Sequence, residues 1–169
     1  AIAISFSLSG TAQTRTGFIA PAANDLSIVG SMGYQTNLER FGLDGQMRYN
    51  LTRNIRLATD LAFYFPKNKV TGLDVMINGH YVFYFPQDRF SVYPLVGIGM
   101  QNNFYGKQTV TVNGVEMKTD SDTKTDFAFN LGGGISFYLN SKNFLNAEVK
   151  FMTGDNDNVA IMLGYGYKF

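Results

Sequence analysis

The chain has 169 residues, enough for one domain, and its formal net charge of +1 excludes the concentrated basic surface that nucleic acid requires. It has no cysteine, which excludes a disulfide framework and thiolate chemistry and is compatible with an oxidising envelope compartment. Mean hydropathy is −0.07, and no run of about 18 apolar residues occurs, so a transmembrane helix is excluded.

Residues 1–12 are uncharged, apolar and rich in small side chains, and Gly10, Thr11 and Ala12 resemble a signal-peptidase site. The stretch is read as the remnant of a secretory signal. Ile2, Ile4, Phe6 and Leu8 alternate as a strand would, but eight strands are complete without them. A ninth would break the even number usual in bacterial single-chain barrels.

From residue 24 to 169 apolar residues recur at every second position, the period of a strand. The first strand sets Leu26, Ile28, Met32 and Tyr34 against Ser27, Val29, Ser31 and Gly33. The second sets Phe41, Leu43, Met47 and Tyr49 against Asp44, Gln46, Arg48 and Asn50, and the third sets Leu57, Leu61, Phe63 and Phe65 against Arg56, Asp60 and Tyr64. The fourth runs from Leu73 to Phe85 with Asp74, Asn78 and His80 on its polar side. The fifth, Phe90 to Met100, is nearly all apolar or Gly, and Pro94, which has no N–H to donate, predicts a bulge there. The sixth carries Phe127, Phe129, Leu131, Ile135 and Phe137 opposite Asp126 and Asn130. The seventh opposes Leu145, Val149 and Phe151 to Glu148 and Lys150, and the eighth runs from Val159 to Phe169 with Lys168 on its other side.

The connections alternate as well. Residues 51–54, 86–89 and 140–143 form tight polar turns, those after strands one, three and seven are of moderate length, and the one from about Gln101 to Thr125 is long. Short periplasmic turns opposite longer outer loops are the arrangement of outer-membrane barrels. Within the long loop, Asn113-Gly114 carries a type I′ hairpin signal and would form the extracellular tip, with strands five and six continuing above the membrane into that hairpin.

Charge decides which face meets what. No Asp, Glu, Lys or Arg falls on the apolar face, whereas the other carries Asp44, Arg48, Arg56, Asp60, Asp74, Asp126, Glu148, Lys150 and Lys168, with His80. The lumen of an eight-stranded barrel is barely wide enough for side chains, so the aromatics do not fit inside. Turned outward they meet lipid, where a charge near mid-bilayer costs about 2–4 kcal/mol. The aromatics also cluster toward the two ends of the strands, with Leu, Ile, Val, Met and Gly between, as interfacial girdles do. The fold expected is an eight-stranded antiparallel up-and-down transmembrane β-barrel.

Over residues 24–169 the sequence resembles the small outer-membrane barrels of the OmpA/OmpX type, and the last strand resembles their C-terminal assembly signal through Gly164, Tyr167 and Phe169. Met162 stands where that pattern has a polar residue. The resemblance implies a bacterial outer-membrane location among lipid and lipopolysaccharide, insertion by the barrel assembly machinery, and delivery by periplasmic chaperones. It is read with no peptidoglycan-binding domain following Phe169.

The residues suggest little chemistry. His80 is the one histidine, no metal-ligand spacing accompanies it, and His80-Tyr81-Val82 lacks the serine of the His-x-Ser pair found in the resembling lipid A deacylases. A hydrogen-bonded lumen histidine is expected, with neither catalysis nor a cofactor. Gly132-Gly133-Gly134 lacks a following helix and a Lys-Ser/Thr pair, so it makes room for large lumen neighbours and is not a phosphate loop. Asp155 and Asp157 lack the closing Glu of a calcium loop and suit a solvated turn. The near balance of lumen charges, with Arg48 able to pair with Asp44 and Arg56 with Asp60, predicts a plugged interior. The function expected is structural or surface-presenting, such as adhesion to an unidentified ligand through the loops. The alternatives are a narrow porin-like channel and a lipid-modifying barrel enzyme.

Overall fold

The computed structural model describes residues 20–67, 69–85, 88–106, 108–112, 115–119, 122–154 and 157–169. Its strands are β1 (Leu26–Gln35), β2 (Arg40–Asn50), β3 (Ile55–Lys67), β4 (Val70–Tyr81), β5 (Phe83–Tyr84), β6 (Phe90–Tyr105), β7 (Gln108–Val112), β8 (Val115–Thr119), β9 (Asp122–Tyr138), β10 (Asn143–Thr153) and β11 (Asn158–Lys168). In the wall every pairing is antiparallel, in the order β4-β3-β2-β1-β11-β10-β9-β6, and β6 pairs back onto β4, so the sheet closes on itself. β5 continues β4 past Val82, which makes the wall an eight-stranded barrel; β7 and β8 form a separate two-stranded sheet. Among the described residues no helix is long and apolar enough to cross a membrane; this barrel crosses with strands.

The period of two becomes an inside and an outside. On β2 the outward positions are Phe41, Leu43, Met47 and Tyr49, and the inward ones are Arg40, Asp44, Gln46, Arg48 and Asn50. Phe41 is 69% exposed and Arg48 0%, an inversion that water would not tolerate and hydrocarbon requires. Outward rings pair near the strand ends, as in Tyr34–Phe41 at 5.1 Å, Phe127–Phe129 at 5.3 Å and Tyr167–Phe169 at 5.4 Å. Between those ends lie Leu61, Val75, Ile77, Leu131 and Leu163, all exposed.

Inside, the side chains are layered. Phe144, Tyr138, Val29 and Ala20, with Tyr84 against them, fill the short-turn end. Above the charged centre, Ala62, Tyr64, Met76, Ala128, Met152, Ala160 and Met162 form an apolar layer. Small residues make this filling possible: a Cβ on Gly134 would stand 2.5 Å from the Tyr93 hydroxyl, and one on Gly166 2.1 Å from the Phe144 ring. Gly134 thus makes room for a lumen tyrosine, as the triple glycine predicts.

The tight turns close by side-chain chemistry. The Thr52 hydroxyl accepts from the Ile55 N–H at 2.9 Å, and the Asn140 side-chain oxygen accepts from the N–H groups of Lys142 and Asn143, each at 2.8 Å. Asp88 adopts φ 53° in the third such turn.

Three expectations are corrected. Pro94 makes no bulge. The β4–β6 pairing stops at His80↔Leu95 and resumes as Phe83↔Val92 in the same register, while Pro94 stays paired with Gly133 of β9. A gap in one ladder accommodates the missing N–H; the register shift falls between Tyr64 and Lys67. The connections after the first, third and seventh strands are not moderately long, because the strands extend until only residues 36–39, 68–69 and 154–157 lie between them. β6 and β9 do extend together, to Tyr105↔Asp122, but the hairpin beyond them is a sheet of its own. Its register runs from Gln108↔Thr119 to Val112↔Val115, and the tip residues Asn113 and Gly114 lie outside the described residues, as do residues 1–12.

Candidate functional site

The centre of the lumen is a polar network drawn from opposite walls. Alternation on β2, β3 and β10 turns Asp44, Arg48, Asp60, Glu148 and Lys150 inward, where all are buried. Arg48 donates to Glu148 at 2.6 Å, to the Tyr93 hydroxyl at 3.0 Å, to Asn146 at 3.1 Å, and through Nε to Gln46. Tyr93 in turn donates toward Glu148 and Asn146, at 2.6 and 2.7 Å. The Lys150 ammonium lies among three carboxylates: it bonds Asp60 and stands 3.2 Å from Glu148 and 3.5 Å from Asp44. Asn78 donates to Asp60 and Asn130 to Asn78, each at 2.8 Å, extending the web to β4 and β9. Charge-assisted bonds thus join strands far apart in sequence across the lumen.

Below this centre Arg56 donates to His80 Nδ1 at 3.1 and 2.9 Å and lies over the Tyr93 ring at 4.4 Å, while His80 stacks on the same ring at 4.8 Å. Toward the loops, Arg40 donates to Gln35 at 2.7 Å and to Asn103 at 3.3 Å, and Gln35 donates to Asn158 at 2.8 Å. Asp74 is buried near this upper cluster.

Asp44, Arg48, Asp60, Glu148 and Lys150 thus meet as one network, with Arg56 and His80 beside it. Two pairings are corrected: Arg48 takes Glu148 rather than Asp44, and Arg56 takes His80 rather than Asp60. Each rejected pair is four residues apart on one strand, roughly 13 Å of extended chain. The lumen is narrow enough that the opposite wall is nearer. Lys168 stands outside the network, partly exposed at the short-turn end, 3.3 Å from Asp25. Asp126 lies near the loop end, 3.6 Å from Lys124.

Sequence reasoning put Gln46, Asn78, Asn130 and Asn146 on the polar face without assigning them to the network, and it missed Tyr93 and the Arg40 cluster. Parity was the available signal: once Val92 and Val96 face lipid, Tyr93 must face the lumen, and Arg40 sits one step before outward Phe41. In the last strand, a Cβ on Gly164 would meet Ser31 Oγ at 2.2 Å, so this glycine allows β1 close against β11. Tyr167 faces outward beside Phe169, which is 66% exposed.

A family model described as outer membrane protein beta-barrel domain matches residues 3–169. The N-terminal β-barrel domain of Pseudomonas aeruginosa OprF is similar in structure, with TM-score 0.65 and 19% identity over 88% of this chain and 100% of that one. Neisserial surface protein A aligns with TM-score 0.58 and 13% identity, covering 85% of this chain and 94% of its own. Yersinia pestis Ail in complex with the heparin analogue sucrose octasulfate gives TM-score 0.51 and 19% identity, over 86% and 97%. Among curated proteins no sequence relative matches.

Proposed function

The chain belongs to the outer-membrane β-barrel domain family and resides in the bacterial outer membrane, and from that premise we propose that it is a non-conducting barrel with a structural and surface-presenting role. The observation that carries this reading is the cross-lumen network of Arg48, Glu148, Lys150, Asp44 and Asp60, with the Met76/Met152/Met162 layer above it. A hydrated ion crossing the barrel would have to part bonded charges and then pass an apolar constriction. The test is planar-bilayer conductance of the purified protein: the reading predicts no steady openings, and stable unitary currents would replace it with the narrow channel.

Surface presentation rests on β6 and β9. β9 pairs with β10 only from Phe129↔Thr153 onward, so residues 122–128 rise above that neighbour and carry the loop outward. Ail was solved with a heparin analogue; for this chain the corresponding proposal is ligand binding by the outer loop. Deleting residues 107–124 should abolish surface binding and leave heat-modifiable gel migration intact. A non-enzymatic role is supported by His80, which is buried against Arg56 and Tyr93 and does not face the lipid where an acyl substrate would lie. On the same reading, Gly164, Tyr167 and Phe169 present the terminal strand to the assembly machinery, chaperones deliver the chain, and lipid and lipopolysaccharide cover the outward face.

A further inference from the structure

The lipid-facing wall is hollowed where two glycines meet. Gly30 of β1 pairs with Gly45 of β2, and Tyr165 and Leu61 flank them in the same cross-strand row, so two residues without side chains lie between two large ones. Nothing stands within 4 Å of where a Cβ on either glycine would be. Two adjoining hollows of about 580 and 610 Å³ result, sharing Gly30 and Tyr165. One reaches Tyr167 near the short turns; the other continues along the wall to Met32 and Leu43. At the foot of this trough the exposed Lys142 donates to the Tyr167 hydroxyl at 3.3 Å, with its ammonium 5.7 Å from the ring centre. An empty hollow forfeits dispersion contacts wherever its lining lacks a neighbour. A second copy docked by the same face in a two-fold pair would set hollow against hollow and leave both unfilled. A flexible hydrocarbon chain fills them, and the cation at the foot stands where the headgroup of such a chain would lie.

We propose that this trough seats one acyl chain of an anionic phospholipid of the periplasmic leaflet, whose phosphate meets the Lys142 ammonium. The leaflet follows from position, because the trough opens at the short-turn rim, at the end opposite the outer loops. The proposal rests on the lipid-covered wall proposed above and assigns one preferred lipid to it.

The chain has no tryptophan, so a single reporter can be introduced. Tyr165→Trp places it in the trough. Phe137→Trp places it on the wall outside, in the same row, since both residues pair with Leu145 and Phe137 lines neither hollow. The full chain is reconstituted in phosphatidylcholine vesicles with rising fractions of chain-brominated phosphatidylglycerol or chain-brominated phosphatidylcholine, and tryptophan quenching is read. At Tyr165→Trp the phosphatidylglycerol should reach half its effect at roughly one third of the fraction that phosphatidylcholine needs, the scale of one charge pair at a membrane surface. At Phe137→Trp the two lipids should act alike. In the Tyr165→Trp chain, Lys142→Gln should equalise them, and Gly45→Leu, which fills the trough and leaves the lysine, should do the same. Heat-modifiable migration checks that each variant folds. The same ratio at both reporters, or a preference that survives either substitution, would overturn the seat. Quenching at Phe137→Trp with none at Tyr165→Trp would overturn it too and give the face to a second copy. Quenching at neither would overturn the lipid-facing wall itself.

Discussion

The two faces of β3 are one residue apart in sequence and belong to different solvents. Outward, Ile55, Leu57, Leu61, Phe63 and Phe65 are all exposed; inward, Arg56, Ala58, Asp60, Ala62 and Tyr64 are all buried. In a water-soluble sheet the polar face would be outside. The difference teaches that outward positions are specified by transfer into hydrocarbon, which any apolar side chain satisfies, whereas inward positions are specified by particular partners across the lumen. Substitutions should therefore cost by different rules on the two faces.

The largest effect is expected inside. Lys150→Met strips the shared cation from Asp44, Asp60 and Glu148, and breaking a buried ion network in this way costs about 3–5 kcal/mol. Urea unfolding in lipid vesicles measures it; a loss below 1 kcal/mol would mean that the lumen is solvated rather than bonded. The outward counterpart is Leu61→Arg, which puts a charge at the middle of β3 facing hydrocarbon and should cost about 2–4 kcal/mol.

Inward parity, eight strands and the membrane address were legible in the sequence because each depends only on a residue's own position in an alternating run. The partners were not. Arg48 meets Glu148 because barrel closure brings β10 opposite β2, and no spacing within β2 encodes that. Pro94 misled for a related reason: a missing N–H predicts a disturbance, but the closed ladder on the β9 side absorbed it as a gap instead of a bulge. Strand ends such as Lys67 and Val70 lie past Phe65 and Pro66, where alternation stops while pairing continues.

A smaller test uses two glycines on opposite faces. A Cβ on Gly166 meets the Phe144 ring, so Gly166→Ala should cost about 1–3 kcal/mol by overpacking. Gly45 has nothing within 4 Å of its would-be Cβ, and Gly45→Ala should stay within about 0.5 kcal/mol in the same unfolding assay. Equal costs would remove the distinction between the faces. The smallest effect lies at the exposed rim, where the Lys67 ammonium bonded to Glu39 lowers the carboxyl below its usual 4.5. A lowered folded value means that the contribution is present at neutral pH and lost as pH falls through that value. The gap in unfolding midpoint between the native chain and Lys67→Gln should therefore close in acid, and a gap that widens would reverse the sign.

The chain has no cysteine of its own, so single cysteines at Leu57, Leu61, Phe63 and Leu163 can each carry one nitroxide, with Thr123 on the raised part of β9 as reference. Power saturation in bilayers should find the four wall sites accessible to oxygen and closed to a water-soluble nickel chelate, deepest at Leu61, with Thr123 open to the chelate. Chelate access at Leu61 equal to that at Thr123 would contradict a lipid-facing wall.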